Sequence, residues 1–266
     1  MIFLLRMLFR DLKRGICNAS YWICVVALVL MSYISYRVNL VYYPTLPLAG
    51  GLTIFLHATA LALGGVFNAI APLACTIPFS LSYVDDVQTG NIQYQITRMQ
   101  PLHYYCARAI STAVVAGSVF LSAYAIILMC ALLYSPAPSF RIDFSPLVVL
   151  SSVYDYSLWG YIGVYTINSF LFGCSYALLS MGISAITGSR FLAISLPTVF
   201  YHATVFLAWI FPKEIVYDIV RWFPYESFSV QTSSATRLLW AHGLISFIGI
   251  SLYVYAIFDY RRHSRT

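Results

Sequence analysis

Three histidines could in principle bind a metal ion or carry protons. His57, His202 and His242 all lie in or near apolar stretches of the chain. None has a second metal ligand three or four residues away, and the apolar stretches contain no Asp or Glu, which a proton relay within a membrane normally uses. We therefore expect these histidines to bond to neighbouring helices or to line a polar path. The same two readings apply to Asn68 and Asn168.

Motifs for catalysis and nucleotide binding are missing from the sequence. It contains no H-E-x-x-H, no G-x-S-x-G and no G-x-x-x-x-G-K-[ST], and its two lysines, Lys13 and Lys213, follow no glycine-rich loop. The six cysteines form no C-x-x-C pair, so neither a metal nor a disulfide is expected. The sequence predicts a chain that is not itself an enzyme and holds no cofactor.

The overall composition places these residues in a membrane protein. Of the 266 residues, 61% are hydrophobic and 9% are charged, whereas a soluble domain carries about 25% charged residues. The net charge of +6 is spread between long apolar runs rather than gathered on one face, which argues against nucleic-acid binding. A soluble enzyme and a disordered region are excluded as well.

Six apolar segments are each long enough to cross a bilayer as a helix. A span needs about 20 residues, and the runs are apolar on every side, unlike the alternating strands of a β-barrel. We expect an all-α single domain over residues 1–266. Its spans are expected at 21–36, 53–81 (kinked near Pro72 and Pro78), 107–134, 161–186, 191–211 and 239–258.

The distribution of Lys and Arg sets the expected orientation. With six spans, both termini, the segment 82–108 and the turn 187–190 share one side, which holds ten of the fifteen cations. Cytoplasmic loops carry the excess of Lys and Arg. We therefore expect a multi-pass protein of the cell membrane with both termini in the cytoplasm.

The first 15 residues have a cationic stripe. Arg6, Arg10, Lys13 and Arg14 fall within about 100° on a helix, and apolar residues fill the remainder. This pattern predicts an interfacial helix on the cytoplasmic leaflet, with its cations toward anionic membrane lipids. A simple orientation signal for the first span is the alternative.

The longest cytoplasmic segment, 82–106, is rich in polar residues. Gly90 should end one helix, Asn91–Met99 can form a short polar helix, and Pro101 should stop it. Such a helix suits the docking of a cytosolic partner, and an ordinary loop is the alternative. On the outer side, the segment 212–237 is too apolar for a free loop and predicts two short re-entrant helices.

This order of parts resembles the permease subunit of type-2 ABC transporters. The likeness rests on the N-terminal helix, on Asp86, Gly90, Pro101 and Arg108 between the second and third spans, and on the interrupted outer segment. It implies two ATP-binding subunits, with ATP and Mg²⁺ bound there, and a second permease, identical or homologous. Residues 86–100 would be the coupling helix. The residues implied in ATPase coupling are Asp85, Asp86, Gln88, Gly90, Arg98 and Pro101.

The resemblance also implies export of an amphiphilic substrate such as a drug, a peptide or a lipid. Candidate residues for its path lie in the second and fifth spans, although packing against lipid is the favoured role of the phenylalanines among them. They are Phe55, His57, Phe67, Asn68, Phe200, His202 and Phe206. A secondary carrier or channel that works without an ATPase is the alternative function, and a membrane-embedded assembly subunit that transports nothing is a third.

Overall fold

The computed structural model describes residues 2–42, 48, 50–59, 66–97, 100–136, 156–210 and 235–263. All the longer regular elements among them are α-helices, as expected. In chain order they are α1 (Ile2–Ile16), α2 (Ala19–Tyr42), α3 (Gly51–Thr59), α4 (Val66–Thr76), α5 (Ser82–Gln88), α6 (Asn91–Ile96), α7 (Pro101–Tyr134), α8 (Leu158–Thr187), α9 (Arg190–Ile210) and α10 (Ala235–His263).

Four helices among the described residues are long and apolar enough to cross a membrane. They are Ala19–Val41, Pro101–Tyr134, Leu158–Thr187 and Leu239–Phe258. They correspond to the first, third, fourth and sixth spans expected from the sequence. The expected outer segment 212–237 lies almost entirely outside the described residues.

Two of these helices extend past their expected limits. The first span, expected at 21–36, continues through Arg37 to Tyr42, because a single exposed arginine does not interrupt a helix. The third, expected from 107, begins at Pro101, since proline is well suited to the first turn. Helix α7 can continue through Arg108 because that side chain is paired inside the protein.

The second expected span, 53–81, is divided into α3 and α4, with 60–65 outside the description. Pro72 lies inside α4, which ends two residues before Pro78. Both ends of the stretch contact α7. The Gly51 N–H donates to the Ser135 carbonyl at 3.0 Å, and the Phe79 ring lies 5.4 Å from the Arg108 guanidinium. Positions 108 and 135 are about 40 Å apart along a helix, so the described parts of the stretch lie beside opposite ends of α7.

Helices α1 and α2 pack against successive parts of α7. Gly15 faces Val115, the Tyr21 hydroxyl donates to the Ser118 carbonyl at 2.9 Å, and Tyr36 lies edge-on to Tyr134 at 6.3 Å. Helix α1 therefore runs alongside the first part of α7.

Helix α8 forms the centre of the bundle, with α7 on one side and α10 on the other. Glycines allow these backbones to approach closely. A Cβ built on Gly173 would lie 3.0 Å from the Gly117 Cα, and one built on Gly249 would lie 2.5 Å from the Leu178 carbonyl carbon. Small residues at such crossings are typical of membrane helices, whose packing depends on close contact rather than on burial from water.

These close contacts predict opposite effects for two glycines on the same helix. Gly249→Ala should destabilise the bundle by about 1–3 kcal/mol, because the new methyl group meets the α8 backbone. Gly243→Ala should be neutral or stabilising by up to about 1 kcal/mol, since its Cβ would enter open space and alanine favours a helix. Unfolding of both variants in mixed micelles measures the difference, and equal effects would contradict the predicted packing.

Candidate functional site

A fully buried arginine joins three segments at one end of the bundle. Arg108 on α7 has no exposed surface, and Asp11 on α1 and Asp86 on α5 are 1% exposed. One terminal nitrogen of Arg108 lies 3.1 Å from Asp11 Oδ2, and the other forms an ion pair with Asp86 Oδ2. We call these three residues the charge interlock.

Neighbouring groups add hydrogen bonds to the Asp86 carboxylate of the charge interlock. The Tyr104 hydroxyl donates to Asp86 Oδ2 at 2.8 Å, and Asn91 Nδ2 donates to Asp86 Oδ1 at 3.1 Å. The Arg108 guanidinium also lies 5.4 Å from the ring centre of Phe79 and 5.7 Å from that of Tyr104. Aromatic faces attract a cation at this range, so Arg108 is held by both charge and stacking.

Helix periodicity brings Asp11 into this position. Met7, Asp11 and Gly15 are spaced four residues apart and all three are buried, so they form one face of α1 toward the protein. Long side chains on a helix point toward its N-terminus, which directs Arg108 toward Tyr104 and Asp11. Sequence reasoning missed Asp11, although a single acid among four cations was a visible signal.

Other segments meet at the same end of the molecule. Arg190, at the start of α9, lies 2.7 Å from Asp85, and Gln88 Nε2 donates to the Gly188 carbonyl at 3.4 Å. Tyr253 near the end of α10 packs edge-on against Tyr83 at 5.0 Å. The segments assigned to one side from their charges therefore contact one another.

The polar segment after α4 consists of two short helices separated at Gly90, as the sequence predicted, so the segment 86–100 implied by the resemblance is not one continuous helix. Helix α5 ends at Gln88, and Gly90 turns the chain with φ +70°, as expected for a glycine at that break. Helix α6 ends at Ile96, before the expected limit Met99. Pro101 is the first residue of α7, and Arg98 lies outside the described residues.

The expected coupling residues differ in accessibility. Gln88 is exposed and Asp85 is partly exposed, whereas Asp86 is buried in the charge interlock. We therefore revise the expected role of Asp86 from partner contact to internal anchor. Helix α6 is fixed by buried Ile92 and exposes Tyr94, which makes Tyr94 a better candidate for contact with a partner.

The residues expected to line a substrate path do not share one surface of the chain. Phe55 and His57 are buried, with Phe55 edge-on to Tyr124 at 5.6 Å. Phe200 and Phe206 on α9 are exposed, and His202 is partly buried beside Tyr201. The side chains of Phe67 and Asn68 lie outside the description.

A cluster of polar side chains lies between α8 and α10. His242 Nε2 is 3.1 Å from Asn168 Oδ1, and its Nδ1 is 3.4 Å from Ser175 Oγ. Ser246 Oγ donates to Ser175 Oγ at 3.2 Å. Of the two roles expected for His242 and Asn168, the structure shows bonding between helices. The described part of the chain contains no group of three His, Cys, Asp or Glu residues that could hold a metal ion.

Comparison of the chain with protein-family models, with curated proteins and with solved structures gives no match.

The charge interlock predicts a large stability effect at Arg108. Arg108→Gln should cost about 3–5 kcal/mol, because it leaves two buried carboxylates without their cation. Arg190→Gln, which breaks a partly exposed pair, should cost under about 1 kcal/mol. Both values can be measured as unfolding free energies in mixed micelles.

A triple variant distinguishes an unpaired charge from lost packing. Asp11→Asn, Arg108→Met and Asp86→Asn together remove every buried charge of the charge interlock, so this variant should recover stability relative to Arg108→Gln alone. If the triple variant is as unstable as the single one, the buried carboxylates are not the cause.

Proposed function

We propose that this chain is a permease subunit of an ATP-driven ABC exporter in the cell membrane. It would pair with a second permease and two separate ATP-binding subunits, which would hold ATP and Mg²⁺. The charge interlock is the observation that carries the proposal. It joins the surface segment α5–α6 and the N-terminal helix α1 to α7, a helix of 34 residues.

The charge interlock would let a cytosolic partner move a membrane helix. Opposite charges attract far more strongly in a protein interior than in water, and removing one partner leaves an expensive buried charge. A displacement of α5–α6 by the ATP-binding subunits should therefore be transmitted to Arg108. Helix α7 would carry the motion to its far end, where Ser135 bonds Gly51.

The arrangement of the chain supports an even number of crossings between its polar segments. Helix α1, the segment 82–97 and the turn at Gly188 lie at one end of the bundle. Ser135, after α7, lies at the other end beside Gly51. Six spans with both termini cytoplasmic satisfy this arrangement, with α3–α4 as the second span and α9 as the fifth.

The cargo is proposed to be amphiphilic, and its path would be shared with the second permease. Phe200 and Phe206 support this assignment, because both are exposed on α9 and could face a cavity between two subunits. Phe55 and His57 would instead serve packing within one subunit, since both are buried.

The proposal is tested by co-purifying the tagged chain with a candidate ATP-binding subunit and measuring ATP hydrolysis. Tyr94→Ala should reduce complex formation or substrate-stimulated hydrolysis about 10-fold or more, as truncating an exposed aromatic anchor at an interface can. Tyr33→Ala is the matched control, because Tyr33 is 58% exposed and Tyr94 is 57% exposed, but Tyr33 lies on α2. Its complex should behave as wild type.

Two results would count against the exporter proposal. Failure of any ATP-binding subunit to bind the wild-type chain would favour a carrier or channel that works alone. Binding that is unchanged by Tyr94→Ala and by Gln88→Arg would remove α5–α6 from the interface.

A further inference from the structure

The four cations of α1, which the sequence presents as equivalent, have different surroundings. Arg10 lies 3.8 Å from Asp11 and donates to Gln95 at 3.3 Å. Arg14 lies 3.7 Å from Asp86. Both therefore contact the charge interlock or the segment beside it. Arg6 and Lys13 form no ion pair with any carboxylate that the structure describes.

Helix α1 also exposes an apolar strip. Leu5, Phe9 and Ile16 are exposed, with Phe9 at 77%, and they fall within about 40° around the helix axis at 100° per residue. Met7, Asp11 and Gly15, by contrast, face the protein. Only part of the apolar surface of α1 is therefore used to pack against the rest of the chain.

The apolar strip lies directly beside the unpaired cations. Arg6 and Lys13 are about 20° apart around the axis and about 10 Å apart along it, and the nearer is about 40° from Phe9. The strip also leads along the chain to α2, where Trp22 and Ile23 expose apolar surface on a candidate membrane span. Tryptophan at such a position is typical of the membrane–water interface.

We propose that Arg6 and Lys13 form a binding site for anionic phospholipid headgroups, with Leu5, Phe9 and Ile16 in contact with the adjoining acyl region. Arg10 and Arg14 instead stabilise the contacts of α1 with the rest of the protein. Two positive charges beside an apolar strip match the phosphate and hydrocarbon of one lipid layer. The combination of charge with apolar surface therefore selects a membrane rather than an acidic protein. The inference does not depend on an ATP-binding partner.

To test this, the full chain is extracted with its surrounding lipids from vesicles of equimolar phosphatidylglycerol and phosphatidylcholine. The ratio of the two lipids retained is then measured. Wild type should retain an excess of phosphatidylglycerol that falls as salt is raised. Each cation near an anionic surface contributes about 1 kcal/mol. The double variant Arg6→Gln with Lys13→Gln should therefore lower the relative association constant about 30-fold.

Two control variants make the assignment specific. Arg10→Gln with Arg14→Gln removes the same charge, and should keep most of the phosphatidylglycerol excess while lowering the unfolding temperature in pure phosphatidylcholine. Arg37→Gln removes an exposed cation from the opposite half of α2 and should change neither quantity. The Arg6 and Lys13 variant should keep its unfolding temperature in phosphatidylcholine.

Three results would overturn the proposal. Equal loss of the excess in both double variants would mean that total charge matters rather than these two positions. No excess with wild type would exclude a lipid site and leave an acidic protein as the ligand of the pair. A lower unfolding temperature for the Arg6 and Lys13 variant in phosphatidylcholine would assign both residues to structure instead.

Discussion

The structure depends on how one buried positive charge is neutralised. Removing Arg108 from water is costly, and only its two carboxylates and the surrounding aromatic rings make that burial acceptable. The carboxylates belong to α1 and α5. If either segment moved away, the other two residues of the charge interlock would stay in apolar surroundings without one of their charged partners. A single electrostatic requirement thus fixes two polar segments to the end of a long helix that is otherwise held by packing and neutral hydrogen bonds.

Close backbone contact holds the remainder of the bundle. Helix α8 approaches α10 at Gly249 and α7 at Gly117, and a layer of tyrosine hydroxyls adds polar bonds inside it. Tyr124 bonds both Tyr165 and Ser169 at about 3 Å. These contacts are short, numerous and neutral, whereas those at the end of the bundle are few and charged. The two kinds of contact suit different tasks, because neutral packing resists deformation evenly and a charged junction is sensitive to a single displaced group.

Much of the fold followed from composition and helix length, because a membrane span leaves a plain apolar signal of known size. The helix break at Gly90 was predictable because glycine readily adopts a positive φ. The end of the short polar helix before Pro101 was predictable because proline cannot continue a helix, although the third span, expected from 107, begins at Pro101 itself. The pairing of Asp11 with Arg108 was not predictable, because it joins residues 97 positions apart and depends on the angle between α1 and α7. The burial of Asp86 was hidden for a similar reason, since a polar segment gives no sign of which acid turns inward. The path residues were chosen by type, and Phe55 and Phe200 differ only in what surrounds them.

The separation of Asp11 from Arg108 along the chain also bears on how the protein is made. A ribosome releases α1 and α2 well before α7 exists, so the Asp11 carboxylate lacks its buried partner Arg108 until α7 has been made. Helix α1 would then be among the last parts to settle, despite being synthesised first.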